Sequence, residues 1–161
     1  MIGRLWWRAH VDGARLDEAE QLAEIHRAGF RRTWSAHDFQ TMMRDPSVFV
    51  LALRLQLPLG ARRLAGFVTV RFAADEAEIL TIAVAPRYRG RGYGRMLMDD
   101  VIRRLYRERI ARLFLEVDRA NRAAVRLYQR LGFAVAGERR NYYAEPTAGD
   151  GTALVMRLQV R

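Results

Sequence analysis

The sequence changes period twice between Glu78 and Glu108, and that change restricts the fold more than any other feature. The run from Glu78 to Val84 is apolar on both faces and is stopped by Pro86. Three glycines follow in five positions, Gly90, Gly92 and Gly94. From Gly94 to Glu108 the apolar residues Leu97, Met98, Val101, Ile102 and Leu105 then recur at helical spacing. A strand that is apolar on both faces needs cover on both and belongs in the middle of a sheet. A strand, glycine turn and amphipathic helix in succession predict a mixed α/β domain.

The flanking sequence repeats this alternation. Leu5 to Val11 reads as a first strand and Leu16 to Phe30 as a helix. Ser35 is placed to cap a second helix, which runs through Met43 and ends before Pro46. Val48 to Leu55 and Leu64 to Phe72 read as a hairpin turning at Leu57 to Arg62. Leu113 to Val117 is a further strand and Asn121 to Leu131 a further helix. Phe133 to Tyr143 and Thr152 to Val160 close the chain as strands. On the central helix, Asp99 with Arg103 and Asp100 with Arg104 are expected as i,i+4 pairs. There is no internal repeat or low-complexity tract, and the 161 residues are expected to form one domain, 1–161.

Composition excludes several chemistries. The chain has no cysteine, so disulfides, zinc–thiolate sites and a cysteine nucleophile are ruled out, and no metal is expected. No stretch reaches the ~18 apolar residues that span a bilayer. The residues from Met1 to His10 lack the apolar run of an export signal, so a cytoplasmic protein is expected. The formal net charge is +10, and every one of the 28 basic residues is arginine. Arginine binds phosphate oxygens in pairs through its planar fork, which suits an anionic partner. A lysine-free chain equally fits a compositional bias, so charge alone names no partner.

The glycine turn carries more. A turn at the start of a helix presents successive backbone N–H groups, and the helix dipole favours anions there. Glycine permits positive φ and close approach of a phosphate, while Arg89, Arg91 and Arg95 add positive charge. A Walker loop requires Gly-Lys-Ser/Thr, and this chain has no lysine. A dinucleotide fingerprint requires a third glycine three residues after the second. Arg95 follows the pair Gly90 and Gly92, and Leu97 follows the pair Gly92 and Gly94. The pattern present is Arg/Gln-x-x-Gly-x-Gly/Ala, with Arg89, Gly92 and Gly94. It resembles the pyrophosphate loop of the GNAT acetyltransferases.

Downstream, Glu116 interrupts an apolar strand. A carboxylate there is costly unless paired or hydrated. Taken alone it is either a base or one half of an ion pair with an arginine. Tyr128 lies on the apolar stripe of its helix, and Asn121 sits where an N-cap belongs. Together they form Leu-Glu-Val-x-x-x-Asn-x-x-Ala-x-x-Leu-Tyr-x-x-Leu-Gly-Phe, followed by Arg139-Arg140-Asn141-Tyr142-Tyr143. This run closely resembles the RimI-type ribosomal-protein alanine N-acetyltransferases, from about Trp34 to the C-terminus and most specifically from Glu78 to Tyr143.

The resemblance implies a GNAT fold: a mixed central sheet of six or seven strands, splayed at its centre and flanked by about four helices. It implies an acetyl-CoA-dependent N-acetyltransferase with Glu116 as proton acceptor and Tyr128 as proton donor. The positions Ile82, Ala83, Val84, Gly90, Arg91, Gly92, Tyr93, Gly94, Arg95 and Asn121, with Arg89, would contact acetyl-CoA. Glu78, Arg140, Asn141, Tyr142 and Tyr143 would grip the acceptor, the N-terminal alanine of small-subunit ribosomal protein eighteen. Asp38 and Glu145 are further acidic candidates near an acceptor cation. A monomer or weak dimer is expected, with no membrane contact and no requirement for nucleic acid. The chain departs from the family at Thr152, where an acidic residue is frequent, and in longer segments near Pro58 and at Ala144 to Gly149. These are places where a peptide would be held. Two alternatives stand beside this reading: a GNAT enzyme for a lysine side chain or small amine, and a basic RNA- or ribosome-binding module without catalysis.

Overall fold

The structure is a computed structural model and describes residues 8–140 and 150–161. Its elements are β1 (Arg8–Gly13), α1 (Ala19–Arg27), α2 (Ala36–Arg44), β2 (Val48–Gln56), β3 (Arg62–Ala73) and β4 (Glu76–Val84). They continue with α3 (Tyr93–Arg107), β5 (Arg112–Asp118), α4 (Arg122–Arg130), β6 (Ala134–Arg139) and β7 (Ala153–Gln159). The seven strands form one sheet in the order β1-β2-β3-β4-β5-β7-β6, so β4 is the middle strand, as its sequence requires. The mixed α/β architecture, with seven strands and four α-helices among the described residues, is the one expected.

Several boundaries move, each for a local reason. The first strand, β1, runs past the expected end at Val11 to Gly13, while its expected start at Leu5 lies outside the described residues. The expected helix from Leu16 to Phe30 is a 3-10 turn at Leu16–Glu18 followed by α1. The turn is held because the Arg15 N–H donates to Glu18 Oε1 at 2.8 Å while the Glu18 N–H donates to the Arg15 carbonyl at 2.9 Å. β4 is not apolar on both faces throughout. Ala77, Ile79, Thr81 and Ala83 are buried, Glu76 and Glu78 are exposed, and Leu80, Ile82 and Val84 are half-buried. The last two strands are shorter than expected, and Asn141 to Tyr143 lie outside the described residues. On α3, Arg95 pairs with Asp99 at 3.9 Å and Arg104 with Glu108 at 3.0 Å.

The chain divides into two compact units. One comprises the chain up to Val70 with Thr81–Val101, and the other comprises Arg71–Leu80 with the chain from Ile102 onward. In the first, Leu22, Phe39, Val48, Val50, Ala52, Phe67 and Ala83 form the core. α2 begins where Ser35 accepts from the Asp38 N–H at 3.1 Å while Asp38 Oδ2 accepts from the Ser35 N–H at 2.8 Å. This reciprocal cap explains both residues locally, and it accounts for Asp38 without an acceptor. Phe39 meets Phe67 edge-on at 5.2 Å. Next to them His26, buried at the end of α1, stacks on Phe30 at 4.4 Å and on Trp34 at 5.2 Å. The His26 Nδ1 accepts the Trp34 N–H at 3.2 Å.

In the second unit β5 pairs antiparallel with β7 from Arg112↔Gln159 to Asp118↔Ala153. β6 pairs with the other edge of β7 and carries a bulge between Val135 and Gly137. The parallel ladder between β4 and β5 is short: Glu76↔Arg112, Ala77↔Leu113 and Glu78↔Phe114. Along β5 the buried positions alternate, Leu113, Leu115 and Val117, so Glu116 falls on the other, half-buried face.

Burial holds the His26 imidazole below its usual titration near 6.5. Above that pH neither the folded nor the unfolded chain protonates this residue. Below it the unfolded chain takes a proton that folded His26 resists, so stability falls as pH drops through the unfolded value toward the lower folded one. The urea midpoint of the wild type is expected to fall between pH 7 and pH 5, and to fall less in His26→Gln.

Candidate active site

The turn after β4 has the conformation its glycines were expected to supply. Gly90 and Gly92 have φ of 75° and 84°, values that L-residues with a Cβ rarely adopt. A Cβ built on either would meet nothing within 4 Å, so the surface beside the backbone is open for a ligand. α3 starts at Tyr93, and the first α-type bond runs from Met96 N–H to the Gly92 carbonyl at 3.1 Å. The N–H groups before it are the ones a helix leaves without an internal partner, and they gather at its positive end. Gly94 differs from the other two glycines, because it lies within the first turn of α3.

The arginines here are exposed, and each has a neighbour. Arg89 folds back and donates from Nε to the Val84 carbonyl at 3.0 Å, which ties the turn to the end of β4. Arg87 and Arg91 lie over the ring of buried Tyr88, at 5.8 and 6.0 Å from its centroid. Arg95 leans toward Asp99. The neighbours of these guanidinium groups are thus a carbonyl, an aromatic ring and a carboxylate.

One residue beside this turn has no prominence in the sequence. A Cβ at Gly66 would stand 2.8 Å from the Ala83 carbonyl oxygen, closer than real Cβ contacts, and 3.4 Å from Val84 Cα. Ala85 N–H also donates to the Ala65 carbonyl at 2.7 Å. β3 must present glycine there for β4 to pass so close. A lone glycine inside a strand pattern is the available signal.

In the second unit, Glu116 Oε1 lies 3.1 Å from the Arg139 Nε. The glutamate side chain is 19% exposed and the arginine 59%. The ion pair allowed for at Glu116 is thus present, and Arg139 is the partner. Tyr128 is buried on α4 and meets Phe133 edge-on at 5.7 Å. Loss of hydration pushes its phenol up to about 12, so the hydroxyl stays protonated at every working pH. Asn121 is the N-cap of α4, its Oδ1 accepting the Ala124 N–H at 3.2 Å.

The site residues expected from sequence therefore fall in two groups. Ile82, Ala83, Val84, Arg89, Gly90, Arg91, Gly92, Tyr93, Gly94 and Arg95 lie together from the end of β4 to the start of α3. Glu116, Asn121, Tyr128 and Glu78 lie in the other unit, Glu78 exposed and paired to Phe114. Arg140 is exposed just past β6, while Asn141, Tyr142, Tyr143 and Glu145 lie outside the described residues. Thr152 is buried, with its N–H donating to Asp150 Oδ1 at 3.1 Å. The turn near Pro58 is a 3-10 turn at Pro58–Gly60 in which Leu59 takes a φ of 68°. Among the described residues no helix is long and apolar enough to cross a membrane.

Known proteins resemble this chain throughout. The Acetyltransferase (GNAT) family matches residues 19–133. The ribosomal protein bS18-alanine N-acetyltransferase of Haemophilus influenzae is 33% identical over 137 residues, 85% of this chain and 89% of that protein. That of Salmonella typhimurium is 43% identical over 99 residues, 61% of this chain and 66% of that protein. The crystal structure of the ribosomal-protein-S18-alanine N-acetyltransferase from Escherichia coli superposes with a TM-score of 0.83 at 29% identity, covering 95% of this chain and 94% of that one. The chain belongs to the GNAT family of acetyltransferases, N-acetyltransferases whose acetyl donor is acetyl-CoA.

Proposed function

We propose that this chain transfers the acetyl group of acetyl-CoA to the N-terminal α-amine of a protein, the N-terminal alanine of ribosomal protein bS18. The observation that carries the acceptor is the 33% identity to a bS18-alanine N-acetyltransferase across 85% of the chain. The open backbone at Gly90 and Gly92, at the positive end of α3, supports pyrophosphate binding. In this reading the N–H groups of Ile82 to Val84 hold the pantetheine and thioester. The residues Arg89 to Arg95 grip the diphosphate, and Asn121 lends a further contact. Glu78, Arg140, Asn141, Tyr142 and Tyr143 contact the acceptor peptide.

The chemistry is direct attack of an amine on a thioester. A protonated amine has no lone pair, so its proton must leave first. An α-amine titrates near ~8 and a lysine near ~10.4, a difference worth about 3 kcal/mol at neutral pH. A carboxylate base is adequate for the α-amine, and Glu116 takes that role. The departing thiolate, with a pKa near ~8.5, needs stabilisation, and Tyr128 supplies it. With its phenol near 12, complete proton transfer to sulfur is uphill by about 5 kcal/mol. Tyr128 therefore acts mainly as a hydrogen-bond donor to the developing charge, and solvent completes the protonation.

Labelled acetyl-CoA should transfer to a peptide carrying the bS18 N-terminus, but not to the same peptide with a blocked α-amine, nor to spermidine. Label on an internal lysine or on the polyamine would overturn the acceptor assignment. Glu116→Gln is expected to lower kcat by about a hundredfold. Its rate should rise toward alkaline pH as the amine loses its own proton, with the KM for acetyl-CoA unchanged. A wild-type pH–rate profile in this variant would remove the base assignment. Tyr128→Phe is expected to lower kcat about tenfold to a hundredfold in single-turnover measurements, and a wild-type rate there would assign the donor elsewhere.

A further inference from the structure

Arg139 lies two strands from Glu116 yet reaches it, and the bulge in β6 explains how. Opposite residues in an antiparallel pair point to the same face of a sheet. Glu116 stands opposite Val155 on β7, and Asp118 stands opposite Ala153. On the other edge of β7, Arg139 stands opposite Ala153 and Glu138 opposite Leu154. Arg139 therefore shares the face of Glu116, and Glu138 takes the reverse face. The ion pairs agree: Arg139 is 3.1 Å from Glu116, whereas Glu138 is 3.7 Å from Arg119. This parity depends on the extra residue, Ala136, at the register shift between Val135 and Gly137. Were Ala136 instead paired in a regular ladder, Glu138 would stand opposite Ala153, a second carboxylate on the face of Glu116.

We propose that Arg139 is a positioning residue for acetyl transfer, delivered by the β6 bulge to hold the Glu116 carboxylate in the orientation from which it takes the amine proton. The inference rests on the reading of Glu116 as base. The Arg139 Nε lies 3.1 Å from Glu116 Oε1, and that contact sets the direction in which the carboxylate faces the acceptor. The planar guanidinium fixes this direction in a way that a lysine ammonium, a point charge on a flexible stem, does not.

The test measures kcat and both KM values in the wild type, Arg139→Ala, Arg139→Lys, Glu116→Gln and the double variant Glu116→Gln/Arg139→Ala. Arg139→Ala should lose about tenfold in kcat, with the KM for acetyl-CoA unchanged, and Arg139→Lys should recover part of that loss. In the Glu116→Gln background the same alanine should cost less than about twofold, because a residue acting only through Glu116 has nothing left to act through. An equal loss in both backgrounds would make Arg139 merely structural and overturn the inference. Full kcat in Arg139→Ala beside a slow Glu116→Gln would overturn it while leaving the base assignment standing. Full rate in Glu116→Gln would overturn both.

Discussion

The end of β4 is placed by a backbone contact that permits no side chain. Gly66 lets the Ala83 carbonyl come within 2.8 Å of where its Cβ would be, and the Ala85 N–H closes on the Ala65 carbonyl two residues along. Every later feature of the glycine turn takes its position from there. Pro86 ends the strand, Arg89 returns to the Val84 carbonyl, and the positive φ at Gly90 and Gly92 aims the chain into α3. The main chain sets the site in this unit, and the side chains secure it. That order suits a ligand recognised through backbone N–H groups, because substitution leaves those groups in place.

Features governed by neighbours along the chain are legible in the amino-acid sequence. The caps at Ser35 and Asn121, the two left-handed glycines and the period of α3 are decided within a few residues. So is the central place of β4, although its exposed Glu76 and Glu78 show that its cover is incomplete at one end. Features governed by distant residues are not legible there. Nothing near Glu116 names Arg139 as its partner, because that pairing passes through β7 and through a bulge with no sequence signature. His26 is similar: nothing beside it in the chain announces its burial, the stack with Phe30 and Trp34 or the bond from the Trp34 N–H. The 3-10 turn ahead of α1 depends on Glu18, whose buried carboxylate also receives the Arg54 guanidinium from β2.

The abundance of arginine takes on structural meaning at particular places. Arg54 meets a buried carboxylate, Arg87 and Arg91 cover an aromatic ring, Arg89 binds a carbonyl, and Arg139 reaches across a strand. These contacts use the flat face or the directional donors of the guanidinium, which an ammonium lacks. Compositional bias and local function are therefore compatible: a chain supplied only with arginine has found uses for its shape.

The bulge in β6 also bears on how such a protein tolerates change. Point substitutions at Ala136 alter one small side chain. Removal of that residue would close the bulge and still leave Glu138 opposite Leu154 and Arg139 opposite Ala153. Drawing Ala136 into a regular ladder, by contrast, would give Glu116 a repulsive neighbour in place of an attractive one. Register, and not the count of residues, thus decides which charge Glu116 meets.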